Sequence, residues 1–280
     1  MSILLKDLIK RKPKKAVKLN KMQYPKMIEA EYYKALKSIA DNMQRIVKEE
    51  LLPILKAKQS EYTGDGIVED IMVMFDRLRS FESPSMAIQT ASKMVRSVDK
   101  VNLEKLKTSI NQRFGIDMPE MFAREGIEKF VTASIAKNAT LIKSIPSEFI
   151  KDIETQIYNG ISSGSAYKTI EDKILGIEGI TSSFDKLDNR VRLIARNEVS
   201  TVNSQINSQR LKSIGVKSFI WQSSNDTRVR DEHAELDGQE FDFSNPPQDE
   251  NGTPILPGEP INCRCVMIPQ MSIEDFEEEN

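Results

Sequence analysis

The sequence predicts a mainly α-helical N-terminal and central region followed by a small C-terminal α+β domain. Two observations carry this expectation. As far as about residue 214, apolar side chains recur every three or four positions, which places them on one face of successive helices. After Gly215 the pattern changes: Lys217-Ser218-Phe219-Ile220-Trp221-Gln222 alternates like a half-buried strand, and the next 45 or so residues are rich in Pro, Gly, Asp and Asn. That same stretch also holds the single tryptophan, the single histidine and both cysteines of the 280-residue chain, so a compact site is expected there.

The first long helix is read from about Lys26 to Ser60, with Tyr32, Leu36, Ile39, Met43 and Ile46 on its apolar face and a kink expected at Pro53. Gly64-Asp65-Gly66 is a turn, and a helix follows over 67–80. Ser83-Pro84-Ser85 opens another that runs to about Val98. Further helices are expected at 105–114, 119–141, 147–160 and 166–176, the third of these starting at Ser144-Ile145-Pro146-Ser147. Thr181-Ser182-Ser183-Phe184-Asp185 opens a long helix that Gly215 closes. A short helix over 226–236, capped by Asn225 or Asp226 and ended by Gly238, would lie between strands at 219–221 and 266–268. The domains expected are a basic flexible arm (1–25), a helical region (26–184), a long connecting helix (185–215), the α+β domain (216–270) and an acidic tail (271–280).

Forty basic against 42 acidic residues leave a net charge of −2, which argues against a general nucleic-acid binder with a basic surface throughout. The charge is uneven, because Lys6 to Lys21 contains eight cations and one acid. This arm reads as a solvated tail, as a contact for DNA, or as a dock for an acidic protein face. The run Ile3-Leu4-Leu5 is too short for a signal-peptide core, and no stretch reaches bilayer length, so a soluble, cytoplasm-made protein is expected. Two cysteines one residue apart do not make a long-range disulfide framework, which fits a reducing compartment.

Several residues near the end are candidates for chemistry, each beside a plainer role. His233, Cys263 and Cys265 are of the types that ligate zinc, but the stronger reading is a buried pair of small thiols beside a histidine that caps a helix or bonds a carbonyl. Asp226 reads as a helix cap, with Arg228 pairing to a carboxylate; Arg264 is placed to anchor Asp226 or Asp237. Trp221 reads as core. Arg196 and Glu198, flanking Asn197 in the middle of the long helix, are expected to engage the small domain.

Taken in order, Ala195-Arg196-Asn197-Glu198, Gly215, Trp221, the run from Asp226 to His233, Leu236-Asp237-Gly238 and Pro260-Ile261-Asn262-Cys263-Arg264-Cys265 resemble the phage Mu F-like head morphogenesis family, over roughly Asp185 to Pro269. The resemblance implies a minor head (capsid) protein of a tailed bacteriophage, present in few copies inside the procapsid, bound to the portal and located in the virion head. By the same resemblance it implies possible contacts with scaffold, major capsid protein or packaged double-stranded DNA, and no catalysis. Many members of that family carry two ligands where this chain has Arg230-Asp231-Glu232-His233. Arg230 stays protonated and cannot coordinate, so a four-ligand zinc site would need Asp226, Asp231 or Asp237 as a substitute. Two readings from other classes stand beside this one. A metal-dependent nuclease would use Asp226, Asp231, His233 and Asn262 around a divalent ion, although nearby thiols are unusual magnesium neighbours. A cellular helical adaptor would account for residues 26–180 but not for the terminal motif series.

Overall fold

A computed structural model of the chain describes residues 5–9, 13–57, 65–118, 126–177, 179, 181–272 and 275. Its helices are α1 (Leu5–Leu8), α2 (Lys26–Ile46), α3 (Leu52–Ala57), α4 (Asp65–Arg79), α5 (Pro84–Phe114), α6 (Ile127–Ser162), α7 (Tyr167–Leu175), α8 (Ser183–Ser213) and α9 (Asp231–Glu235). The strands are β1 (Val17–Lys18), β2 (Ser218–Gln222), β3 (Glu240–Asp242) and β4 (Val266–Met271). Mainly α with a small C-terminal sheet is therefore the observed class. The chain divides into two compact units that are discontinuous in sequence, one of residues 1–29, 93–135 and 196–280, the other of residues 30–92 and 136–195.

The second of these units is helical. Tyr32, Leu36, Ile39, Met43 and Ile46 are all at most 6 % exposed, as the periodicity of α2 requires. The expected disturbance at Pro53 takes the form of one wide π-helical turn at Val47–Leu51, after which α3 restarts with the proline in its first turn, where its missing N–H costs least. Pro146 does not start a new helix, contrary to the expectation of separate helices at 119–141 and 147–160; α6 runs straight through it. A mid-helix proline costs about 3 kcal/mol. Against that, Ile142, Ile145, Phe149, Ile153 and Ile157 keep one unbroken apolar stripe across the proline, each at most 4 % exposed, and burying each contributes about 1.5–3 kcal/mol. The expected helix start at residues 119–125 lies outside the described residues. The start of α8 is a reciprocal cap: Asp185 N–H donates to Ser182 Oγ at 3.0 Å, and Ser182 N–H to Asp185 Oδ2 at 3.0 Å. These bonds hold the Asp185 carboxyl below its ordinary pKa.

The first unit contains the sheet, ordered β1-β4-β2-β3 with every neighbour antiparallel. Residues 13–25 are not a free arm, which corrects the expected boundary. Val17 pairs with Met271, Leu19 N–H donates to Pro269 O at 2.9 Å and Met22 N–H to Met267 O at 2.9 Å. Leu5, Leu19 and Met22 are buried in the core with Phe219, Trp221 and Met267, while Lys14, Lys15, Lys18 and Lys21 face outward. Enough apolar residues are interleaved among the lysines to add an edge strand to the sheet. The acidic tail begins later than 271, since Met271 is part of β4 and Asp275 is buried, accepting from Ser272 N–H at 2.7 Å; residues 276–280 lie outside the described residues.

Helix α5 is also longer than read, bridging the expected gap between residues 98 and 105. Asn102 occupies the position in the apolar stripe between Val98 and Leu106 and is 3 % exposed. Its side chain pairs with Asn207 and accepts from Arg210 Nη1 at 2.6 Å. A polar residue at an inward position breaks the hydrophobic pattern without breaking the helix.

Candidate functional site

Strand pairing assembles the site. Gln222 at the end of β2 lies opposite Val266 at the start of β4, so Cys265, one residue before β4, is held beside the loop that leaves β2. That loop leads into α9, which carries His233, and returns through Gly238, whose N–H donates to Trp221 O at 2.8 Å with φ +77°. The His233 and Trp221 rings are tilted, with centroids 5.4 Å apart. His233, Cys263, Cys265 and Trp221 are all at most 5 % exposed.

His233 Nδ1 lies 3.6 Å from Cys263 Sγ and 3.7 Å from Cys265 Sγ. In a tetrahedral zinc site, bond lengths of about 2.3 Å to sulfur and 2.0–2.1 Å to nitrogen set the N···S edge at about 3.6 Å. Both His–Cys edges match that value, and all three donor atoms lie within 4.8 Å of one another. Several neighbouring N–H groups favour the thiolate form that coordination needs. Cys265 N–H points at Cys263 Sγ (3.4 Å), and Ser224 N–H favours the Cys265 thiolate. The buried indole N–H of Trp221 makes no hydrogen bond of normal geometry among the described residues, yet lies near enough to Cys265 to favour its thiolate too. Without a metal the two thiols share a proton. The hydrogen bond from Cys265 pulls the Cys263 pKa down to about 5 against its burial, whereas that same bond and burial push Cys265 up.

Around this cluster the predicted residues fall into two groups. Arg196 Nη1 donates to Asn262 Oδ1 at 3.3 Å, Asn262 N–H donates to Asn197 Oδ1 at 2.8 Å, and Ser200 Oγ donates to Cys263 O at 3.3 Å. One face of α8 therefore clamps the loop that bears the cysteines, with Asn262 in left-handed backbone at φ +60°. Glu198 is buried on that helix at 8 % exposure. On the other side, Asp226 does not cap a helix: it accepts Arg228 N–H at 3.0 Å and Arg228 Nη2 at 2.9 Å, with Arg264 Nη1 at 3.8 Å. These contacts hold its carboxyl below the ordinary range. The helix begins only at Asp231, because local satisfaction of Asp226 as a turn competes with capping. Asp237 Oδ1 accepts from Ser223 N–H at 2.6 Å and from Gln222 Nε2 at 3.2 Å, so it fixes the β2 loop rather than Arg264.

The four residues of the nuclease reading are not brought together as ligands. Among the described residues the metal-competent group is His233 with the two cysteines, and it contains neither Asp226 nor Asp231. Three contributions escaped the sequence reading: the bond that Arg230 Nη2 donates to Ile261 O at 2.8 Å, Ser200, and Gly258. Pro257-Gly258 signalled a turn, but nothing local signalled that it packs on Ser200. Gly258 has φ +96°, and a Cβ there would stand 2.9 Å from Ser200 Oγ and 3.3 Å from Cys265 O. Gly258→Ala is expected to cost about 1–3 kcal/mol through backbone strain and crowding, read as a lower urea midpoint with unchanged slope. A wild-type midpoint would mean that this loop yields freely.

Residues 151–268 match the family described as Phage Mu protein F like protein. The Mu F-like segment begins inside α6, earlier than the motif series alone suggested, and takes in α8, the whole candidate site and the start of β4. The matched segment is thus similar to phage head morphogenesis proteins. The chain is also similar to an uncharacterized protein of Haemophilus influenzae, 28 % identical over 277 residues, covering 96 % of this chain and 59 % of that protein. The chain thus spans about three-fifths of the length of the curated relative it matches. No solved structure matches. Among the described residues, no helix is long and apolar enough to cross a membrane.

Proposed function

We propose that this protein is a minor head protein of a tailed bacteriophage, built in few copies into the procapsid at the portal vertex, with His233, Cys263 and Cys265 holding a structural zinc ion. The observation that carries this reading is the Mu F-like match over 151–268, which encloses the whole site. The portal protein is the main partner in this reading. Scaffold, major capsid protein and packaged double-stranded DNA are secondary ones. Three protein ligands are the count of an open zinc site; a structural rather than catalytic ion is supported instead by their burial at 3–5 % exposure and by the loops around them, which α8 holds in place. Bound there, zinc would staple the α9 loop to the start of β4.

Quantitative peptide mass spectrometry of this chain relative to the portal protein, in purified procapsids and mature virions of the encoding phage, tests the role. A reproducible low ratio is expected in procapsids, and the virion value shows whether the protein stays. Absence from both particles would remove the head-protein reading.

A further inference from the structure

Beside the His233-Cys263-Cys265 cluster, within the same compact unit, lies a groove of about 810 Å³ that the head-assembly reading does not use. Lys21, Lys26, Lys105 and Arg264 line it, together with polar groups of the β2 loop, and no carboxylate does. Lys21 and Lys26 are exposed and form no ion pair among the described residues. Lys105 is half-buried, and its ammonium finds only Gln23 O, at 3.4 Å. Burial holds the Lys105 pKa below its ordinary value, so an anion brought beside it would relieve an uncompensated desolvation. Arg264 has Asp226 at 3.8 Å, but that carboxylate is already engaged by Arg228 at 2.9 Å.

The lining is not purely cationic. Met27, 79 % exposed, stands among the cations with Pro25, Val101 and Val266. A phosphodiester backbone would match the charges and leave these apolar groups without a counterpart. A peptide that presents carboxylates and apolar side chains together matches both. We propose that this groove docks an acidic peptide segment with interspersed apolar residues, supplied by a partner protein. The proposal stands apart from the head-assembly reading, since a binding assay on the purified chain does not depend on particle composition.

The test is fluorescence anisotropy with a labelled peptide of repeating Leu-Glu-Glu triplets, alongside polyglutamate of equal length and a short DNA duplex, at low and physiological salt. The triplet peptide is expected to bind more tightly than polyglutamate, with affinity falling as salt screens the lysines. Lys21→Glu combined with Lys26→Glu, both surface changes, should weaken it by about tenfold or more. Met27→Ser should weaken the triplet peptide by about fivefold while leaving polyglutamate unchanged. Lys105→Glu should weaken all acidic probes, with melting temperature confirming that the variant is folded. Duplex DNA bound as tightly as the triplet peptide, with Met27→Ser silent, would overturn the proposal in favour of a phosphate groove. No binding by either peptide at low salt would overturn it outright.

Discussion

Asp99→Ala is expected to destabilise the protein by about 3–5 kcal/mol, the usual cost of removing one partner of a buried ion pair. Arg210 is fully buried, with its Nη2 against Asp99 Oδ1 and its Nη1 donating to Asn102 Oδ1 at 2.6 Å and Asp99 O at 3.4 Å. Taking away the carboxylate leaves a guanidinium that cannot lose its proton in a site built to compensate it. The loss should appear in urea unfolding as a lower midpoint. The double variant Asp99→Leu, Arg210→Met separates the pair from its surroundings. Well-packed apolar replacements of a buried pair are often neutral or stabilising, so the double variant should recover most of the loss. A single variant within about 1 kcal/mol of wild type would mean that the guanidinium is solvated in solution.

Cys265→Ser is expected to abolish metal binding and to lower stability by a similar amount. Purified without chelator, the wild-type chain should contain roughly one zinc per molecule by elemental analysis, the stoichiometry of a single His-Cys-Cys centre. Binding to the folded state alone stabilises it by about 4 kcal/mol when free zinc exceeds the dissociation constant a thousandfold. Adding EDTA should therefore lower the wild-type melting temperature and leave Cys265→Ser unmoved. The pH dependence follows from the thiolates. The pKa of Cys263 is depressed from its ordinary value to about 5, so the stability its thiolate contributes is present at high pH and is lost as pH falls through about 5. Protons compete with the metal in the same direction, so acidification should release zinc and stability together. Metal-free wild-type protein with an EDTA-insensitive melting temperature would make the trio a packed cluster of thiols and imidazole.

The sequence by itself determined what repeats locally or is chemically rare. The stripe of α2 from Tyr32 to Ile46 followed from a period of three to four residues, because burying one helical face leaves that trace in any window of the chain. The convergence of His233, Cys263 and Cys265 followed from their crowding within one short stretch and from β2 and β4 being separately legible, which bring both ends of that stretch together. Asn262 and the Arg196-Asn197 pair were visible as motif residues, although their mutual hydrogen bonds were not.

The folded structure decided the rest, where distant partners or competing neighbours overrode a local signal. Lysines predicted a solvated arm over 1–25, but Leu19 and Met22 are buried in the core and their N–H groups donate to β4, which holds that stretch against the sheet. The stretch between Val98 and residue 105 was read as a gap between two helices, but Asn207 and Arg210, more than a hundred residues away, satisfy the Asn102 amide inside the core. Pro146 predicted a helix start, but the isoleucines on both sides already shared one buried stripe. Asp226 predicted a cap, but its own arginine neighbours claimed the carboxylate first. Local propensities are worth about 1–3 kcal/mol. Burial and pairing across the fold are worth more, and their partners cannot be read from a single stretch of chain.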